Sequence, residues 1–120
     1  MVSIPSFILR RLYVKGSLRN TETGFEFQIL NKLGSGQARR LLPLTVDGQE
    51  LVLDACAFHL DGAAVSFEKV SRENPFAMAL NKATVISARG VTLSEGSHTI
   101  GMAFEVAGFG VLQFDFVDSI

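Results

Sequence analysis

Ile100-Gly101-Met102-Ala103-Phe104-Glu105-Val106-Ala107-Gly108-Phe109-Gly110-Val111-Leu112-Gln113-Phe114-Asp115-Phe116-Val117 decides the fold. Ile100, Met102, Phe104 and Val106 alternate with Gly101, Ala103, Glu105 and Ala107. Beyond a Gly108-Phe109-Gly110 turn, Leu112, Phe114 and Phe116 alternate with Val111, Gln113, Asp115 and Val117. Side chains of a strand point to opposite faces in turn, so this period of two aims one apolar row at a core. The stretch reads as two strands of an antiparallel sheet.

Working back, the same period recurs in shorter runs. Residues 83–89 read as a strand bent off by Gly90. Residues 55–60 and 64–70 flank Asp61-Gly62, and residues 42–46 and 49–53 flank Asp47-Gly48. Asp-Gly favours the type I′ hairpin turn, because both central residues need positive φ. Leu12, Val14, Gly16 and Leu18 alternate with Tyr13, Lys15, Ser17 and Arg19, predicting a strand that pairs with residues 25–30 across the Asn20–Gly24 turn cluster. Residues 71–82 interrupt the pattern. There Asn74 and Pro75 predict a loop with at most one short helical turn near residues 74–81. The expectation is an all-β chain: a single antiparallel β-sandwich domain over residues 1–120, of about eight to nine strands, with a small barrel as the alternative.

The 120 residues suffice for one core, burying about two-thirds of the unfolded surface. They are too few for a TIM barrel or a two-domain dehydrogenase. The ten Phe fit a strand-rich core, except Phe7, Phe76 and Phe109, which fall near the start or in turns. The net charge of −1 makes nucleic acid a poor default partner. Charge is uneven, with seven basic and two acidic side chains in residues 1–40. Solvated strand faces explain that as simply as a basic patch does. Cys56 is the only cysteine, which excludes an internal disulfide and suits a cytoplasmic location. The opening stretch is not a secretion signal, since its arginines follow a short apolar run. No apolar stretch reaches the length of a membrane span.

Candidate chemistry is sparse. His59 and His98 lack metal-ligand spacing, and no metal or cofactor site is expected in this chain. Cys56 and His59 are three apart on a strand and so point to opposite faces. Asp54, Asp61, Asp115 and Asp118 could supply a carboxylate pair, although turn and strand-end aspartates are common as local caps. Gly34-Ser35-Gly36-Gln37 matches neither phosphate-binding fingerprint, and Arg39-Arg40 beside it could grip an anion. With no Trp and only Tyr13, the chain lacks the ring platform of a carbohydrate-binding module.

Two stretches carry a family resemblance: Ile4-Pro5-Ser6-Phe7-Ile8-Leu9-Arg10-Arg11-Leu12-Tyr13-Val14-Lys15-Gly16-Ser17-Leu18-Arg19-Asn20 and the closing residues 101–118. They resemble the small β subunit of bacterial C-glycoside deglycosidases. The resemblance implies a non-catalytic sandwich that packs on a larger TIM-barrel α subunit, sugar-isomerase-like and holding a divalent metal, and that shapes the rim of its cleft. It implies a carbon–carbon lyase acting on 3-oxo-C-glycosides, with a higher-order heteromer possible. No catalytic residue carries over. Pro75, Phe76 and Phe109, then Arg10 and Arg11, are the candidate partner or cleft contacts, and ordinary loop packing or solvation is the plainer reading of each. The alternatives are a stand-alone binding or assembly module forming a homo-oligomer, and a small independent enzyme.

Overall fold

The computed structural model describes residues 4–120. The opening stretch therefore lies partly outside it, at residues 1–3. A short helix, α1 (Ser6–Leu9), runs into a 3₁₀ turn at Arg10–Leu12. Eleven strands follow: β1 (Arg19–Asn20), β2 (Gly24–Leu30), β3 (Gly36–Leu41), β4 (Thr45–Val46), β5 (Gln49–Glu50), β6 (Cys56–Leu60), β7 (Ala63–Ser66), β8 (Phe76–Met78), β9 (Ala83–Arg89), β10 (Ser97–Val106) and β11 (Gly110–Ser119). Every strand pair is antiparallel. One sheet runs β1-β2-β9-β6-β7, and the other runs β5-β4-β10-β3-β8 with β11 along β10. Two separate sheets make the chain a sandwich rather than a barrel. Among the described residues, no helix is long and apolar enough to cross a membrane.

The deciding stretch folds as its period requires. Ile100 lies opposite Phe116, Met102 opposite Phe114 and Phe104 opposite Leu112. All six are buried. Matched apolar rows fix this register, because a slip of one residue would turn the whole row to water. The two Asp-Gly hairpins also form, with Asp47, Gly48, Asp61 and Gly62 all at positive φ. The inner rows of both sheets meet in one core with Phe25, Phe27, Phe58, Phe67 and Ile86.

Three local expectations are corrected. Residues 12–18 of the expected 12–19 strand are not a strand. Gly16 sits at φ +85°, and only a single bridge, Tyr13 to Ile29, joins this segment to β2 before β1 begins. Side chains hold it instead. The Tyr13 ring stacks on Phe116 at 3.5 Å between centroids, and its hydroxyl donates to Asp118 at 2.6 Å. Second, residues 71–82, expected as a loop with at most one helical turn, hold a strand and no helical turn. Ser71 and Asn74 close a tight loop on each other, a residue before proline is biased to extended backbone, and Phe76–Met78 joins β3 as a strand. Third, residues 36–41, which the sequence period assigns to no strand, form β3. Its ladder with β10 shifts register: Glu105 lies opposite Arg40, and Val106 opposite Ala38. Arg39 is the extra residue of a bulge, and a bulge destroys the alternation that marks a strand in sequence.

Candidate functional site

A cleft on the outward face of the β10–β11 ladder measures about 360 Å³. Its floor is Gly101 and Ala103, and its walls carry Ser6, Arg10, Thr45, Gln113 and Asp115. Gly101 is dictated by close approach, since a Cβ there would collide with Thr45 Oγ1. The Arg10 Nε donates to the Asp115 backbone carbonyl at 2.6 Å, and its guanidinium pairs with the Asp115 carboxylate at 3.3 Å. That contact ties the α1 segment to the exposed edge of β11. The cleft can hydrogen-bond a polar group, but its two opposite charges already face each other.

The candidate residues are not brought together. Arg10 lines this cleft, whereas Arg11 is exposed and lines none of the three described here. Pro75 and Phe76 line a second cleft of about 250 Å³, with His59, Asn74, Lys82 and Thr84. Phe76 is a core residue, 5% exposed, its ring 4.5 Å from that of Phe58. Its reading as an unstranded contact is therefore corrected: it sits on β8 and packs inward. Phe109 is partly buried against the core and borders a third cavity.

The titratable groups are occupied structurally. Cys56 faces inward and His59 outward, as their spacing requires. Burial pushes the Cys56 thiol upward from its ordinary value. The His59 Nε2 is 3.0 Å from the Ser87 hydroxyl. On the other sheet, the His98 Nδ1 lies 2.7 Å from Asp47 and its Nε2 2.7 Å from the Ser94 carbonyl. Asp47 first, then the Ser94 carbonyl, raise the pKa of His98. Asp54 is held low chiefly by Arg89, and Asp118 chiefly by the Tyr13 hydroxyl and then the Gly16 N–H. Asp61 serves the hairpin turn. Arg39 and Arg40 converge on Glu105, at 2.6 and 3.4 Å. The bulge puts both arginines there, so they do not form a free anion grip. Among the described residues, no three His, Cys, Asp or Glu side chains are grouped to hold a metal.

Sequence reasoning missed Ser6, Thr45 and Gln113. They come from three separate segments, and no spacing reports a cleft assembled across β4, β10, β11 and α1.

A family model described as hydroxymethylglutaryl-CoA reductase, N-terminal domain, matches residues 8–120. The chain belongs to this family. The match overturns the resemblance to C-glycoside deglycosidase β subunits, and with it the lyase assignment. The TIM-barrel subunit and its divalent metal were implied by that resemblance alone. The misreading has a physical cause. The closing stretch quoted for it encodes an antiparallel strand pair, and the opening stretch encodes the segment that packs on it. Neither carries chemistry that separates one sandwich family from another. No curated protein matches the chain.

Proposed function

We propose that the chain is a non-catalytic accessory domain that docks on a larger enzyme polypeptide through the outward face of β10 and β11. The observation that carries this reading is the outward row of β11: Val111, Gln113, Asp115 and Val117, with Val111 47% and Val117 65% exposed. Along the strand these two valines stand on either side of Gln113 and Asp115, which line the 360 Å³ cleft. Phe7, 62% exposed, stands on the helix packed against the same strand. Single exposed apolar residues are ordinary, whereas several on one strand and the helix packed against it mark an interaction surface. The family is described by its position in a larger reductase, so the remainder of a hydroxymethylglutaryl-CoA reductase is the first partner to test. The free thiol of Cys56 fits a reducing compartment, and we place the protein in the cytoplasm.

The test is Val117→Asp in the 120-residue chain, with binding to the larger polypeptide measured by co-elution at micromolar concentration. Wild type is expected to bind, and the variant to bind at least tenfold more weakly with its melting temperature unchanged. Equal binding by the variant, or no binding by wild type, overturns the reading. Because β11 is also a sheet edge, light scattering on the isolated chain tests the second reading, a homo-oligomer paired through that edge. A stable symmetric oligomer with no affinity for the larger polypeptide would favour it.

A further inference from the structure

The third cavity is the apolar one. It measures about 150 Å³ and lies between the β10–β11 turn and the 31–36 loop, walled by Leu9, Leu12, Phe104, Val106, Leu112 and Phe109. We propose that it is a binding site for a small apolar ring, a ligand of about the size of benzene.

Two independent observations carry this. The first is size and chemistry. An apolar space of about 150 Å³ lined by aliphatic and aromatic side chains is large enough to admit benzene, and this one opens to solvent, so a ligand can enter. The polar side chains at its rim are already engaged. The Asn31 amide nitrogen donates to the carbonyls of Gly34 and Met78, and its oxygen accepts from the N–H groups of Leu33 and Gly34. The Ser35 hydroxyl accepts from the Leu80 N–H. Among these side chains only the Ser35 O–H has no acceptor.

The second observation is Gly36, which lines the cavity. Three of the eleven glycines, Gly24, Gly36 and Gly101, lie outside the positive-φ set. A Cβ at Gly24 would strike the Ala88 carbonyl, and one at Gly101 would strike Thr45. A Cβ at Gly36 would meet only Val106 Cγ1 at 3.8 Å and Met78 Cε at 3.9 Å, which is ordinary contact. Neither backbone conformation nor crowding requires glycine there. Its effect is to leave open the space that a side chain would fill.

The experiment titrates the full chain with benzene and reads ligand NMR and the melting temperature. Wild type is expected to bind saturably and to melt higher with benzene present. Phenol is expected to bind more weakly, because the apolar walls desolvate its hydroxyl and Ser35 alone offers it a partner. Gly36→Val should fill the cavity and cut benzene affinity at least tenfold, with its own melting temperature equal or raised. Should valine prevent folding, Gly36→Ala is read for a smaller loss of affinity in the same direction. Absence of benzene binding by wild type, or binding that neither substitution weakens, overturns the proposal. The site is separate from the outward face of β11 and is read on the isolated chain, so docking can fail while this stands, and the reverse.

Discussion

The β10–β11 ladder ends in two different ways. At its Ser97–Ser119 end, polar groups close it. His98 reaches Asp47 at the tip of the β4–β5 hairpin, and Asp47 also accepts from the Thr99 N–H at 2.9 Å. Asp118, directly opposite His98, holds Tyr13 and Gly16. At its Val106–Gly110 end there is an apolar hollow, bordered by Phe109 and a glycine that fills nothing. The same regular ladder spans both. The ends differ because directional contacts can lock loops that arrive from different parts of the chain, whereas apolar side chains must fill space to do so. A clamp tolerates loose packing around it; at the hollow end the directional contacts are those of Asn31, which hold the loop at the rim and leave the space beside it unfilled.

The largest break in that comparison comes from truncating the same residue type at each end. Phe104 and Phe116 are equally buried, at 2% exposure. Phe116 stacks on Tyr13 and meets Phe27 edge-on at 5.0 Å, whereas Phe104 borders the hollow. A side chain facing a void has fewer partner atoms to lose. Both alanine variants should cost about 3–5 kcal/mol, Phe116→Ala toward the top of that range and Phe104→Ala toward the bottom. Urea unfolding of the two variants checks the order. Equal costs would mean that the hollow end is as tightly packed as the clamp.

The legibility of these two ends from sequence follows the same divide. Long apolar alternation marked β10, β11 and β9, and Asp-Gly marked two hairpins, because strand period and turn chemistry are local. The Tyr13 segment imitated a strand through Leu12, Val14 and Leu18, and only its contacts with Phe116 and Asp118, about 100 residues away, show what it does. Phe76 looked stranded in a loop because its partner Phe58 lies on another sheet. The cleft and the hollow are properties of several segments at once. Gly36 was visible as a glycine, but a glycine that bends the chain and one that leaves room for a ligand read alike until the Cβ position has neighbours.

A second prediction sharpens the clamp, with a smaller effect than the truncations. Both ring nitrogens of His98 face acceptors, which favours the doubly protonated ring. Its folded pKa is raised from 6.5, so its contribution is fully present below that value and is lost as pH rises through the higher folded pKa. Asp47 runs the other way. The Thr99 N–H and then His98 lower it from 3.8, so its contribution is present above that value and is lost as pH falls through the lower folded one. The pair is therefore strongest in mildly acidic solution. Wild type should lose stability from pH 6 to pH 8.5, and His98→Asn should flatten that slope. A slope unchanged in the variant would show that His98 does not fasten this end.

The smallest effect tests whether charge helps to hold the hollow end. Glu105 sits one residue before Val106, and the β3 bulge turns both Arg39 and Arg40 toward it. Arg39 is 33% and Arg40 58% exposed, so solvent screens most of the attraction. Glu105→Gln keeps the shape and removes the charge, and should cost less than about 1 kcal/mol. Raising the salt concentration should shrink the difference further, because exposed pairs are screened within a few ångströms at high ionic strength. A cost several times larger that survives salt would mean that the bulge geometry itself depends on the carboxylate. The hollow end would then have a second polar fastener beside Asn31, one on the ladder itself, and the contrast with the His98 clamp would be one of position along the ladder rather than of kind.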